Sequence, residues 1–230
     1  MPTVILARHG RSTANTEGIL AGRRPGVALD DTGTSQAMGI GERLRGIGLA
    51  LAVHSPLLRC HQTLDLALDS WAGSRPPVHP DERVVECDYG AWTGRALSDL
   101  GREDLWARIQ SRPSEVTFPG GESMISMHER VVGAVRAWNA GLGERDAWLL
   151  VAHADPIKAI LSDALGQPFD RFQRIGVDPG SVSVVHYPSG DASPFVVTVN
   201  SLSGQVRSFV DRFTGPAGGP EPGGGAGHTA

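Results

Sequence analysis

A short segment after the first apolar stretch combines a nucleophile with anion-binding groups. His9 lies between Arg8 and a glycine, and the hydroxyl of Ser12 and the amide of Asn15 follow within a few residues. A neutral imidazole, a fixed cation and hydrogen-bond donors are suited to phosphoryl transfer. His9 would attack phosphorus through one ring nitrogen, and we expect a backbone carbonyl to fix the other. Taken alone, the segment also fits a buried histidine that is hydrogen-bonded near a turn.

Three later segments carry polar residues that can complete such a site. Arg59 lies in the first turns of a predicted helix, where the helix N-terminus favours an anion, although a surface arginine fits the same spacing. Glu86 follows apolar residues and precedes a loop with glycine and aromatic residues. This setting is expected to raise the pKa of a carboxyl group, as a general acid requires. His153 follows an apolar run, as His9 does.

The apolar pattern indicates which elements position these residues. Apolar, partly β-branched runs predict strands over residues 4–7, 49–53, 147–152, 181–187 and 195–200. Apolar residues at spacings of three or four predict helices over residues 34–44, 57–71 and 123–142. Alternating strands and helices favour an α/β sandwich. Because sites in parallel sheets form beyond the carboxyl ends of strands, two strands that end at histidines indicate one shared site.

The composition favours a globular protein with a small partner. The chain has 230 residues, of which 40% are apolar, and this is enough to bury a core. Its 21 basic and 25 acidic residues give a formal net charge of −4, so nucleic acid and anionic membranes are not expected partners. The sequence has no run long enough to span a membrane and no basic leader, which predicts a cytoplasmic location. The expected partner is a small phosphorylated substrate, and a homodimer is left open.

The chain is predicted to contain one domain and a tail. Residues 1–213 form the domain, and residues 214–230, rich in glycine and proline, form a disordered tail with nothing to bury. Cys60 and Cys87 have no metal-ligand spacing, so two reduced, unreactive thiols are favoured over a disulfide, a metal site or a redox pair. Cys87 is expected to face away from Glu86 as its neighbour on a strand, whereas Cys60 can reach the pocket edge or the core equally well.

Five motifs, taken in chain order, resemble the histidine phosphatase superfamily, also called the phosphoglycerate mutase-like family. They are Arg-His-Gly at residues 8–10, Ser-x-Leu-x-Arg-x-x-Gln-Thr at 55–63, Glu86 ahead of a Gly-x-Trp loop, Pro-Gly-Gly-Glu-Ser at 119–123, and His153. The resemblance spans roughly residues 3–205 and is greatest to phosphomutase-like proteins of actinobacteria. It implies a three-layer α/β sandwich with a mostly parallel central sheet.

The resemblance also implies a role for each matching residue. His9 would be the nucleophile and Glu86 the general acid/base. Arg8, Arg59 and His153 would hold the phosphoryl oxygens. Because arginine keeps its proton at every working pH, the phosphoryl charge would be neutralised without a metal or another cofactor. The implied activity is that of a metal-independent phosphatase that acts on a small phosphorylated metabolite through a phosphohistidine.

Four further residues are predicted to contact the substrate. Ser12 and Asn15 match family positions that support the phosphate. Ala154 replaces the glycine that usually follows the late histidine, so its backbone amide is expected to approach phosphate less freely. Arg23, near the predicted pocket mouth, is a candidate for reading a second anionic group, although loop arginines are more often only solvated.

Two alternatives to a phosphatase remain. A 2,3-bisphosphoglycerate-dependent phosphoglycerate mutase, or another phosphomutase, would use the same histidine chemistry but would need extra cations around its substrate. The arginines between positions 95 and 115 are balanced by acidic residues, and Lys158 is the only lysine in the chain, so the charge pattern favours the phosphatase. A non-catalytic domain that binds phosphorylated ligands would be indicated by loss of His9 or Glu86, and both are present. The spacings typical of metal-dependent and cysteine phosphatases do not occur in the sequence.

Overall fold

A mostly parallel sheet forms the centre of the protein. The computed structural model describes residues 2–188, 192–207 and 209–210, and six strands within these ranges form one sheet. The strands are β1 (Thr3–Arg8), β2 (Leu49–His54), β3 (Val78–Pro80), β4 (Ala147–Ala152), β5 (Val182–His186) and β6 (Phe195–Ser201). Their order across the sheet is β3-β2-β4-β1-β5-β6. The first four strands in this order run parallel, whereas β5 is antiparallel to β1 and β6 is antiparallel to β5.

Helices connect the strands and cover the sheet. They are α1 (Thr13–Thr16), α2 (Asp31–Arg43), α3 (Leu58–Ser70), α4 (Leu97–Leu100), α5 (Asp104–Ser111), α6 (Met124–Ala140) and α7 (Ala154–Ala164). Two of the longer helices begin at a side-chain cap. Asp30 accepts a hydrogen bond from the N–H of Gly33 at the start of α2, and Ser123 accepts one from Ser126 at the start of α6. Each cap satisfies a backbone N–H that has no partner inside its helix.

The helices form two layers, one on each face of the sheet. Neighbouring residues of a strand point to opposite faces, and β4 shows the consequence because it is buried along its whole length. Trp148 and Leu150 join the core that includes residues of α6 and α7. Leu149 and Val151 join the core that includes residues of α2 and α3. The predicted three-layer α/β sandwich is therefore confirmed.

The register of β1 and β4 determines where the strand ends meet. The two strands pair in parallel from Thr3 opposite Ala147 to Arg8 opposite Ala152, so both end at the same level of the sheet. β1 is also paired with β5 on its other side, so neither of its edges is open. Its apolar residues are therefore deeply buried. The residues that follow β1 and β4 consequently leave the sheet side by side.

The predicted strands and helices agree with the structure to different degrees. The strand predicted over residues 147–152 matches β4, and the helix predicted from residue 34 begins three residues earlier because Asp30 caps it. β3 and the helices α1, α4, α5 and α7 were not predicted as elements. The predicted tail, residues 214–230, lies outside the described residues. Of the helices described, none is long and apolar enough to cross a membrane.

Candidate active site

Two parallel strands deliver histidines to the same edge of the sheet. His9 follows the end of β1, and His153 follows the end of β4. The N–H of His9 donates a hydrogen bond to the carbonyl of Ala152 across 3.0 Å. The two imidazole rings meet edge to face, with centroids 5.2 Å apart. The ends of β1 and β4 therefore lie side by side, as the sequence predicts.

His9 is neutral and fixed in orientation. It is 4% exposed, and its Nδ1 lies 2.7 Å from the carbonyl oxygen of Gly10. Because a carbonyl can only accept, Nδ1 carries the proton and Nε2 carries the lone pair. Burial lowers the pKa of His9 well below its usual range, and the charges of Arg59 and Arg8 lower it further. A backbone carbonyl thus fixes the ring, as the sequence predicted.

The adjacent glycine allows the turn after β1 to pack against the start of α2. A Cβ atom at Gly10 would lie 2.3 Å from the carbonyl oxygen of Gly33. The N–H of Gly10 donates a hydrogen bond to the hydroxyl of Thr63 across 3.1 Å, and this contact attaches the turn to α3. Glycine is therefore required after His9 for a close backbone approach.

Two arginines present unpartnered donors to the region around His9. Arg59, in the first turn of α3, is almost fully buried; its Nη2 donates to the carbonyl of Gly22, and its Nη1 is buried without a hydrogen-bond partner. Arg8 donates from Nη1 to the carbonyl of Val177, and its Nε is buried without a partner. Buried donors are nearly always paired in folded proteins, so these two N–H groups indicate a place for an anion. Arginine remains charged there even though burial lowers the pKa of Arg8.

Glu86 is a buried carboxyl group with a raised pKa. It lies in an irregular segment, rather than on the strand that the sequence suggested, and its Oε1 accepts a hydrogen bond from the N–H of Cys87 across 2.9 Å. Burial raises the pKa of Glu86 to about 7, and the charge of Asp155 acts in the same direction. Hydrogen bonding to Cys87 and the charges of Arg59 and Arg8 partly oppose this rise. The carboxyl group can therefore both lose and gain a proton near neutral pH.

A polar cluster behind the cavity holds the main chain at Glu86. Arg23 and Arg130 donate to the carbonyl of Glu86 across 2.9 and 3.1 Å. Glu122, the acidic residue of the Pro-Gly-Gly-Glu-Ser motif, accepts hydrogen bonds from both arginines and from the N–H of Asp88. Arg23, the candidate for reading a second anion, is part of this cluster and is not among the described residues that line the cavity.

His153 lies behind His9 rather than on the cavity surface. Its Nε2 lies 2.7 Å from the hydroxyl of Ser55 and 3.5 Å from Sγ of Cys60. Burial lowers the pKa of His153 well below its usual range, and the charges of Arg59 and His9 lower it further. It is not among the described residues that line the cavity. His153, which the sequence predicted to hold a phosphoryl oxygen, therefore packs against His9 and α3.

A cavity of about 310 Å³ is lined by all the predicted site residues except His153 and Arg23. Arg8, His9, Arg59 and Glu86 are among them. Ser12 and Asn15 line its wall at the start of α1. They form a capping box, in which Ser12 accepts from the N–H of Asn15 and Asn15 Oδ1 accepts from the N–H of Ser12. Ala154, the first residue of α7, lines the same cavity, so the N-terminus of this helix lies at the site.

The cavity also contains a polar group to which the sequence motifs assigned no role. Asp155 accepts a hydrogen bond from the hydroxyl of Tyr89 across 2.8 Å and lies 3.5 Å from Nζ of Lys158. Lys158 also donates to Oε1 of Gln173 across 2.9 Å. A signal for this group was present, because an acidic residue followed by proline and then apolar residues at helical spacing is typical of the first turn of a helix.

Comparison with known proteins places this chain in an established family. The family model described as "Histidine phosphatase superfamily (branch 1)" matches residues 4–201. Phosphoserine phosphatase 1 of Hydrogenobacter thermophilus is 30% identical over 196 residues, which is 81% of this chain and 87% of that protein. A protein named "Probable phosphoglycerate mutase GpmB" from Proteus mirabilis is 29% identical over 216 residues, covering 92% of this chain and 96% of its own length.

A solved structure supports the same assignment at the level of the fold. YhfR of Bacillus stearothermophilus superposes on this chain with a TM-score of 0.80 at 23% sequence identity, over 88% of this chain and 98% of YhfR. The agreement confirms the α/β sandwich with its mostly parallel sheet. Because the family model extends from β1 to β6, the chain belongs to the histidine phosphatase superfamily.

Proposed function

We propose that this protein is a metal-independent phosphatase that acts on a small phosphorylated metabolite, with His9 as the nucleophile and Glu86 as the general acid/base. The observation that carries the proposal is the arrangement around His9. Its Nε2 has the lone pair and accepts a hydrogen bond from Nε of Arg59. Arg8 and Arg59 line the same cavity, and each has a buried N–H group without a partner. A phosphoryl group supplies the negative oxygens that these donors lack. The phosphatase and mutase names of the relatives support chemistry on phosphate monoesters.

The first half-reaction forms a phosphohistidine. Nε2 of His9 releases its hydrogen bond from Nε of Arg59 and attacks phosphorus, the N–P bond forms, and the bond from phosphorus to the ester oxygen breaks. The proton on Glu86 passes to the departing alkoxide, which leaves as an alcohol. Nδ1 of His9 keeps its proton throughout and donates a hydrogen bond to the carbonyl of Gly10. The ring therefore gains the phosphoryl group without changing orientation.

The second half-reaction returns the enzyme to its starting state. Glu86, now ionised, takes a proton from water as the water oxygen attacks phosphorus. The N–P bond breaks, inorganic phosphate leaves, and His9 regains its lone pair. A pKa of about 7 allows Glu86 to act as acid in one step and base in the next. Arg8 and Arg59 neutralise the transferring oxygens in both steps, so the proposal requires no divalent cation.

A phosphomutase is the alternative that the curated relatives raise. A mutase would return the phosphoryl group to a second acceptor and would hold an additional anionic group of the substrate. Beyond Arg8 and Arg59, the cation that lines the described cavity is Lys158, and it is already adjacent to Asp155. This charge balance favours hydrolysis over transfer.

The test is to trap the phosphorylated enzyme. Rapid quenching with a radiolabelled phosphate monoester is expected to give an acid-labile, alkali-stable phosphoprotein that decays as inorganic phosphate appears. His9→Asn should give neither the phosphoprotein nor released phosphate, with an unchanged circular dichroism spectrum. His61→Asn, an exposed histidine of α3, is the matched control and should behave like the wild type.

Two results would count against the proposal. A labelled phosphoprotein in His9→Asn would move the nucleophile to another residue. A mutase would be indicated if 3-phosphoglycerate, supplied with traces of 2,3-bisphosphoglycerate, is converted to 2-phosphoglycerate faster than phosphate is released.

A further inference from the structure

The cavity has two chemically different ends. The polar end contains Arg8, His9, Arg59 and Glu86, which the proposed function uses. Much of the remaining lining is made by aromatic and aliphatic side chains from the segment around Trp92 and from α4 and α5. A bound phosphate monoester places its phosphoryl group at the first end and its alcohol group toward the second. The composition of this second end therefore bears on the substrate.

Four aromatic rings form a fixed surface, which we call the aromatic wall: Tyr89, Trp92, Trp106 and Phe118. Trp92 stacks on Trp106 with ring centroids 6.3 Å apart, and it meets Phe118 edge to face at 5.6 Å. Phe118 also meets Tyr89 edge to face at 5.0 Å. Each ring limits the rotation of the next, so the wall is formed before any ligand arrives. Such surfaces bind flat apolar groups with little loss of side-chain entropy.

Apolar surface is also exposed at the mouth of the cavity. Leu97, at the start of α4, is 39% exposed and lines the cavity. The other large hydrophobic residues that the described part of the chain exposes lie away from the cavity lining. Leu20 and Ile109 extend the same apolar surface inward. Exposed apolar surface inside a concave site marks a place for an apolar ligand group.

The charged groups in and near the cavity, beyond those of the polar end, already have partners. Nζ of Lys158 lies 3.5 Å from Asp155 and donates to Gln173. Arg23 is bound to Glu122 behind the cavity. A carboxylate or a second phosphate on the substrate would therefore lose water against aromatic rings without gaining an unpaired cation. A neutral group meets no such penalty.

We infer that the cavity takes the monophosphate ester of a neutral alcohol that carries an apolar ring, and that it discriminates against esters with a second anionic group. This inference rests on the proposed function, because it assumes that the phosphoryl group occupies the polar end. The ring would lie against the aromatic wall, and Leu97 would cover its outer edge. Gln110 and Gln173 also line the cavity and offer uncharged polar contacts to substituents on the ring.

A matched pair of substrates tests the inference directly. The pair is 2-phenylethyl phosphate and the same ester with a carboxylate at the para position of the ring, which have the same type of leaving alkoxide. The neutral ester is expected to have a kcat/KM at least about tenfold higher, and a comparable advantage is expected over phosphoserine and 3-phosphoglycerate. Equal or higher kcat/KM for the three anionic esters would overturn the inference.

Two variants locate the effect. Leu97→Asp and Trp106→Ala should each reduce the ratio of kcat/KM for 2-phenylethyl phosphate to that for methyl phosphate by about tenfold, mainly through KM. Leu165→Asp, at an exposed leucine outside the cavity lining, is the control and should leave the ratio unchanged. An unchanged ratio in Leu97→Asp would overturn the inference even if Trp106→Ala fails to fold.

These measurements distinguish a failure of the proposed function from a failure of the inferred substrate class. If the wild type hydrolyses none of the esters, and p-nitrophenyl phosphate is also inert, the proposed function is wrong and the inference fails with it. If the wild type hydrolyses the anionic esters preferentially, the phosphatase stands and only the inferred substrate class is wrong.

Discussion

Nε of Arg59 donates a hydrogen bond to Nε2 of His9 across 3.3 Å. The same guanidinium keeps a second donor, Nη1, buried without a partner. In the proposed reaction one arginine therefore has two roles: it keeps a positive charge beside Nε2 of His9, and it offers a donor to an incoming phosphoryl oxygen. The positive charge disfavours a second proton on the imidazole, which preserves the lone pair.

Replacing Arg59 should therefore affect both catalysis and the pKa of His9. We expect Arg59→Gln to lower kcat/KM by about 100-fold or more, because a fixed donor and a charge are lost from the transition state. The pKa of His9 should move upward, and this can be measured by NMR titration of the imidazole. Arg75→Gln, at an exposed arginine paired with Asp65 and Asp69, should change neither quantity. An unaltered kcat/KM in Arg59→Gln would remove this residue from the phosphate site.

The role of Glu86 as an acid predicts a dependence on the leaving group. Glu86→Gln keeps an acceptor for the N–H of Cys87 but cannot donate a transferable proton. With alkyl phosphates, whose alkoxides need protonation, we expect kcat to fall by about 100-fold or more. With p-nitrophenyl phosphate, whose leaving group is stable as an anion, the effect on the first half-reaction should be much smaller in burst kinetics. Equal losses for both esters in that burst would contradict the acid role.

The same substitution should stabilise the protein at alkaline pH. The pKa of Glu86 is raised from its ordinary value of 4.5 to about 7 in the folded state, so the stability present below pH 4.5 is lost as the pH rises through 7. A shift of this size corresponds to at most about 3 kcal/mol. Glu86→Gln removes the ionisation, so its free energy of unfolding relative to the wild type should increase between pH 5 and 8. Urea titrations at both pH values measure this, and a difference that does not change with pH would argue against a raised pKa.

Chelation of divalent metal should leave the activity intact. The proposed chemistry neutralises the phosphoryl charge with arginines, and among the described residues no group of three or more His, Cys, Asp or Glu side chains is arranged to hold a metal ion. Turnover before and after dialysis against EDTA should be equal. Inhibition that is reversed by adding a divalent cation would show that the mechanism is incomplete.

The two thiols should resist oxidation in the folded protein. Cys60 is fully buried in the core between α3 and the sheet, and burial raises its pKa to about 12; burial also raises the pKa of Cys87. A thiolate is the reactive form, so little of it exists at neutral pH. Peroxide should leave turnover unchanged and both thiols unmodified by mass spectrometry. Reversible inhibition that disappears in Cys60→Ser would instead show that this cysteine is accessible to oxidants.

The sequence was most informative where burial is uniform. β4 is paired on both sides and covered on both faces, so its apolar run predicted its limits correctly. β3 is a three-residue edge strand that ends in proline, and such a segment has no pattern to detect. α7 begins directly after His153, and its first turn was interpreted only as a motif around the histidine. Short or polar starts of elements are thus the parts of the fold that local sequence does not specify.

The site shows the same division between local and distant information. Arg8 ends β1, His9 follows it and Arg59 lies in the first turn of α3. Glu86 lies in an irregular segment, and the structure brings it into the same cavity as these three residues. The position of Arg23 depends on Glu122, which is 99 residues away in the chain, so no local pattern could show that this loop arginine is already paired. Contacts between residues that are far apart in the chain are therefore the part of the site that the sequence did not predict.

The central position of β1 has a consequence for the order in which the protein is made. The strand that precedes His9 is made before the other strands of the sheet, but its two neighbours, β4 and β5, begin only at Ala147 and Val182. Until those segments are synthesised, β1 is an apolar strand with no partner on either edge, a state that favours aggregation or chaperone binding. Closing such long loops is slow relative to local pairing. His9, the proposed nucleophile, therefore reaches its place beside Ala152 only after β4 has been made.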